Sequence, residues 1–263
     1  MSFNLQTPGI LKLKKLALKN LHRLLLFYLL LWVVLFEFIL PANNFLPKPS
    51  IVLLSFAALW KDYRLPVNFL ITISSIYVAL VAAYFLAEYL APVIFKKNHL
   101  FSEFLFSLHW FSIYVPWIIF GIFLIYWFPA SPIIEFLLLL VISFFSLIIK
   151  MKEESASVGK EYLDSAVSLG ADEKTISKKI KWKAVQPKIL KHSVQLHFNL
   201  WTLAIVFEFI KNGYGLGTIF RLALDYKDLS ALFTVSIITG VFIYLGTLLI
   251  KYYQNKFCHW SFN

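Results

Sequence analysis

The sequence predicts an all-α polytopic membrane protein, and three observations carry that prediction. Of its 263 residues, 60% are hydrophobic and only 15% charged, with a mean hydropathy of +0.74. The apolar residues fall in runs near the roughly 20 residues a helix needs to cross hydrocarbon. The basic residues behind the +11 net charge sit beside those runs, where membrane topology places them, and do not form a nucleic-acid-binding face.

The first run, 24–40, follows Lys12, Lys14, Lys15, Lys19 and Arg23. It is too long for a signal-peptide core, and Pro41-Ala42-Asn43-Asn44 lacks a small-x-small cleavage pattern. It is therefore read as a span. Further runs at 67–90, 104–128, 133–149, 192–210 and 231–250 make six predicted spans in one domain. Pro129-Ala130-Ser131-Pro132 predicts a tight hairpin between the third and fourth. Residues 9–26 place Lys12, Lys15, Lys19 and His22 on one helical face, suited either to the inner leaflet surface or simply to the approach to the first span.

Lys and Arg divide unevenly between the two sides. The termini, Lys96–Lys97 and the 150–191 loop hold 19, and the opposite side holds six. The positive-inside rule then puts both termini and the long loop in the cytoplasm of a plasma membrane. A single cysteine, Cys258, excludes an intrachain disulfide and a cysteine-built zinc site. No phosphate-binding Gly-x-x-x-x-Gly-Lys-Ser/Thr loop is present, so the chain is not read as an ATPase.

The 150–191 loop is the most informative segment. Residues 161–180 predict two short helices around Gly170, with Asp172 capping the second and Pro187 interrupting the helix before the fifth span. This loop resembles the coupling loop of ABC importer permeases, in which Glu-Ala-Ala is followed after three residues by Gly. Asp164-Ser165-Ala166 stands at the Glu-Ala-Ala positions, and Leu169-Gly170-Ala171 matches the Leu-Gly-Ala core. Ile180 and Pro187 also match, whereas Lys183 stands where a first exit proline is usual.

Other segments are similar to the nitrate/sulfonate/taurine group of these permeases. They are Leu46-Pro47-Lys48-Pro49 with Val52, Trp32, Glu208, Gly215-Leu216-Gly217, and the basic end with Trp260. The second span departs from that pattern. It carries Tyr77 and no glycine, so its close packing is expected through Ala79, Ala82, Ala83 and Ala87.

The resemblance implies a transporter subunit without cofactor, working as a dimer with a second copy or a paralogue. Its partners would be a cytoplasmic ABC ATPase dimer and an extracytoplasmic solute-binding protein, and its cargo a small, often anionic solute such as a sulfonate or nitrate. Asp164, Ala166, Leu169, Gly170 and Ala171 would contact the ATPase.

Polar residues inside spans are the remaining candidates, because lipid exposure of such groups is costly. Gln195, Asn199 and Thr202 share one helical face, which either lines a pathway or bonds to neighbouring helices. Glu88 is expected at the interface, paired with Lys96 or Lys97, and Glu37 and Glu135 are also read as interfacial. His109 and His197 stand on separate spans without a carboxylate cluster, so no metal site is expected. A membrane scaffold or signalling protein and a membrane-embedded lipid enzyme are the alternative readings. The enzyme would need an acidic or histidine cluster at a membrane face, which the sequence lacks.

The orientation is directly testable. A green fluorescent protein fused to the C-terminus should fluoresce, and alkaline phosphatase inserted after Asn212 should be active. The opposite pair of results would invert the predicted topology.

Overall fold

The computed structural model describes residues 23–24, 26–40, 46–96, 100–128, 131 and 133–258. Lys12, Lys15, Lys19 and His22 of the basic approach, Pro129, Ala130 and Pro132 of the hairpin link, Lys97, Trp260 and the His109 side chain lie outside these residues. Among the described residues the structure is helical throughout, with no strand.

Helices form where the apolar runs lie, but local chemistry sets their ends. α1 (Leu26–Ile39) finishes in a π-wound segment, Val34–Ile39. From there Glu37 accepts a hydrogen bond from Ser50 N at 3.1 Å. That bond caps α2 (Pro49–Lys61), a helix the sequence reading did not separate. The Leu46-Pro47-Lys48-Pro49 run is its start. Lys48 is the N-cap, and Pro49 occupies the first turn, where its missing N–H is no loss. Val52 donates back to Lys48 O at 3.1 Å and is itself buried.

α3 (Leu65–Ile94) has 30 residues. At 1.5 Å per residue it is about 45 Å long, more than the hydrocarbon thickness requires. Ala79, Ala83, Ala87 and Ala91, spaced four apart, are fully buried, and α3 packs most extensively against α6 (Ile133–Ser155). The alanines thus supply the close approach that glycines give elsewhere.

The 104–128 stretch is not one helix. It divides into α4 (Leu100–Ile113) and α5 (Trp117–Trp127). Pro116, the N-cap of α5, has no N–H to continue the ladder and disfavours helical backbone at the residue before it. Hydropathy alone does not register that break.

Downstream, α7 (Lys160–Ser168) leads to a run that is helical from Glu173 to Lys211. It comprises α8 (Glu173–Thr175), a π-wound turn (Ile176–Lys181) and α9 (Trp182–Lys211). Pro187 lies inside α9 and does not interrupt it. The carbonyl of Pro187 accepts from Gln254 Nε2 at 3.4 Å, and membrane helices tolerate internal prolines where neighbours meet the backbone's needs. α10 (Leu216–Asp225) and α11 (Leu229–Phe257) complete the described chain. Four helical runs are long and apolar enough to cross a bilayer: α3, α6, Glu173–Lys211 and α11. α9 is central and packs on α3, α6, α10 and α11, with Trp201 and Phe207 fully buried.

One polar device fixes how α9, α10 and α3 meet. Glu208, wholly buried, accepts from Gly217 N at 2.8 Å and from Thr72 Oγ1 at 2.5 Å. Thr72 Oγ1 in turn accepts from Leu216 N at 2.9 Å, and Asn68 Oδ1 accepts from Gly215 N at 2.9 Å. The orphan N–H groups of α10's first turn are thereby satisfied from two other helices, with a carboxylate at the positive end of the helix dipole. Both glycines are required. A Cβ on Gly215, whose φ is +98°, would enter the Glu208 carboxyl, and one on Gly217 would strike the α9 backbone at Ile205 O and Phe209 N.

Thr72→Val should therefore cost about 1–3 kcal/mol, because it strands Leu216 N–H and one Glu208 oxygen. Gly217→Ala should cost more, since the obstruction is backbone. Thermal unfolding in detergent reads both, and unchanged melting would contradict the latch.

Candidate functional site

The predicted tip is built by two opposed caps. α7 ends in a Schellman motif: Ala171 N donates to Ala166 O at 3.0 Å, and Gly170 N to Val167 O at 2.9 Å. Gly170 takes the left-handed residue this motif needs, with φ +80°, and a Cβ there would meet nothing within 4 Å. Asp172 then caps α8, accepting from Thr175 N at 3.1 Å. Hydrogen bonds from Thr175 hold the Asp172 carboxyl below the usual carboxylate range.

Exposure divides the five predicted contact residues. Ala166 is buried beneath the turn and Ala171 is half-buried, whereas Asp164, Leu169 and Gly170 face outward. Leu169 is 87% exposed, and Tyr162 and Val167 beside it are also exposed. The tip is thus apolar at its apex with acidic Asp164 and Lys174 flanking it.

Several contacts hold this hairpin to the helical body. Lys96 pairs with Glu173 at 3.5 Å, so its partner is Glu173 and not the expected Glu88. Trp182 is buried against Tyr84, and Gln186 Nε2 donates to Tyr84 Oη at 2.8 Å. On the other side Glu154, near the end of α6, pairs with Lys188 at 2.5 Å.

Gln195, Asn199 and Thr202 are all exposed along one face of α9. Among the described residues, their hydrogen bonds stay on α9 itself. Gln195 Nε2 donates to Asn199 Oδ1 at 3.3 Å, and Thr202 Oγ1 to Phe198 O at 3.3 Å. Asn199 and Thr202 line a cleft of about 810 Å³ between α5, α6 and α9, and Gln195 lies outside it. Trp117, Phe145 and Leu203 wall the cleft, and Ser146, Lys150, Glu153 and His192 form its end toward the hairpin.

Two groups were misplaced by sequence reasoning or missed by it. Glu135, expected at the interface, is buried within the protein: it is 2% exposed and lies against Glu208, Ser75 and Lys211. Its burial is a tertiary effect of α6 meeting α9. His197 is fully buried, and its Nε2 meets Trp201 Nε1 and Tyr77 Oη, each at 2.9 Å. Indole N–H only donates, so Nε2 is the acceptor and the ring proton sits on Nδ1. Gly246 is where α11 closes over this pair, since a Cβ there would clash with Tyr77 Oη. Among the described residues no three His, Cys, Asp or Glu side chains gather as a metal site.

Gly170→Ala should weaken the turn by about 1 kcal/mol through left-handed strain alone. Gly170→Asn should weaken it less, and trypsin cleavage after Lys174 reports both. The Asp172 cap acts at pH above the ordinary carboxylate value and is lost as pH falls through its lowered one. Protection of the Thr175 amide should therefore drop on acidification, and it should drop at neutral pH in Asp172→Ala. Equal cleavage of the native chain and both residue-170 variants would contradict the motif.

The family model for binding-protein-dependent transport system inner membrane components matches residues 79–257. The match starts within α3 and ends at the close of α11, so it takes in the hairpin, the cleft and Glu208 with Gly215–Gly217, while Asn68 and Thr72 of the latch precede it. No curated protein and no solved structure matches the chain. With its apolar helices long enough to span a bilayer, the chain belongs to the binding-protein-dependent transport system inner membrane component family, as a transmembrane permease subunit of ABC import.

Proposed function

We propose that the chain forms half of a solute pathway, completed by a second copy or a paralogue, and that its Gly170 hairpin docks into a separate cytoplasmic ABC ATPase. The observation that carries the pathway reading is the exposed stripe Gln195, Asn199 and Thr202 on a membrane helix whose other mid-helix polar groups, His197 and Glu208, are buried. Amide and hydroxyl groups facing lipid are costly, so such a face belongs against water or another subunit. The cleft beside it, at about 810 Å³, is within the range that holds small molecules.

Coupling is supported by the hairpin's shape. Its apex exposes Leu169, Val167 and Tyr162 beyond the membrane helices, a patch suited to a groove on a partner. Because the second arm continues without a break into α9, displacement of the tip is carried to the helix bearing the polar stripe. Closure of the ATPase would then shift the pathway between two facing states. Both termini lie in the cytoplasm in this reading, and an extracytoplasmic binding protein delivers the solute. Likeness to the nitrate/sulfonate/taurine group makes a small anionic solute, such as a sulfonate or nitrate, the class to test first.

The test is a pull-down from solubilised membranes comparing the native chain with Leu169→Arg. Leu169 has ordinary backbone and an exposed side chain, so the substitution leaves the fold intact. An ATPase should co-purify with the native chain and fall at least tenfold with the variant. No ATPase with either chain would contradict the proposal.

A further inference from the structure

The end of the cleft and the base of the hairpin share one polar ladder between α6 and α9. On α6, Ser146, Lys150 and Glu154 recur every four residues, and on α9 Lys188 and His192 do the same, so each set lies on one helical face. The rungs join across the helices. Ser146 Oγ meets His192 Nε2 at 2.8 Å, and Glu154 holds Lys188 at 2.5 Å through one oxygen and Lys150 at 2.9 Å through the other. Lys188 Nζ also donates to Ser157 Oγ at 2.8 Å, where the chain leaves α6 for the hairpin.

We propose that Glu154 is a positioning residue for transport, clamping the two ends of the hairpin together and tying them to the cleft floor through Lys150. The inference rests on the import reading above. Lys150 lines the cleft, and His192, one turn beyond Lys188, lines it too. The carboxylate gives one oxygen to the hairpin arm and one to the cleft, where Lys150 also meets Glu153 at 3.3 Å, so the two cations are linked through Glu154. The Glu154 side chain is only 19% exposed, against 49% for Lys188, which keeps water from replacing the pair as readily as at an open surface. Without this clamp, displacement at the tip would be absorbed by hinging of the 156–187 segment and would not reach the cleft.

The experiment uses the permease complex purified with its own ATPase and reconstituted in vesicles. A Thr202→Cys reporter, in a Cys258→Ser background, is labelled with a water-soluble maleimide with and without ATP and vanadate. With Glu154 intact, the labelling rate should change severalfold on nucleotide trapping. Glu154→Gln should retain the ATPase and its ATP hydrolysis yet lose that change, because it gives up the ion pairs with both Lys188 and Lys150. Lys188→Gln opens the same bond from the other helix and should reproduce the loss. A nucleotide response that persists in Glu154→Gln overturns the clamp, as does one that persists in Lys188→Gln. If the native chain brings no ATPase into the preparation, the import reading itself fails, whatever Glu154 does.

Discussion

Hydrocarbon offers no hydrogen bonds, so every polar group inside the membrane must find its partner within the protein. At the junction of α3, α9 and α10 that demand is most concentrated. A short helix starts there, and its first N–H groups have no partner of their own. Glu208 and Thr72 answer them together, each bonded to the other and to one backbone N–H of α10. Glycines at 215 and 217 let the carboxylate and the α9 backbone come close enough. Once this junction is set, the rotation of α9 is set with it, and so is which of its faces is covered. His197, Trp201 and Glu208 turn inward, while Gln195, Asn199 and Thr202 are left outside.

Function follows from the fact that one helical run serves two purposes. Its first turns form an arm of the hairpin, and its later turns carry the polar stripe. The tip is closed by two caps, the Schellman motif and Asp172, and is small because glycine and alanine occupy it. In an ABC permease subunit these are the properties that a part moved by a partner needs. The ladder of Ser146, His192, Lys150, Glu154 and Lys188 binds that arm to α6, so the cleft is bounded by two helices that share one anchor at the base of the hairpin.

Much of this was legible from residue order, and what was not has physical causes. Long apolar runs gave α3, α6, α9 and α11, because hydropathy and length decide such helices. The Gly170 turn and the Asp172 cap were readable, since both are local and use the residues those motifs require. α2 was hidden because Leu46-Pro47-Lys48-Pro49 was read only as a mark of resemblance, although Pro49 opens the helix. The break at Pro116 was hidden inside an apolar run because apolarity carries no information about hydrogen-bond donors. Glu208 and Gly215–Gly217 were noticed as a pattern, but Thr72, 136 positions away, completes it and has no local signature. Glu135 looked interfacial for the same reason: its burial depends on which helix α6 meets.

The account turns on the claim that the polar face of α9 borders water or a partner subunit and not lipid. A nitroxide at Asn199, in membranes and with Cys258→Ser, tests it by power saturation against a water-soluble nickel chelate and against oxygen. A second label at Leu248, exposed on α11, gives the lipid reference. The account predicts that the Asn199 label responds more to the chelate, and the Leu248 label more to oxygen. Oxygen dominance at both positions would place the stripe in lipid and contradict it.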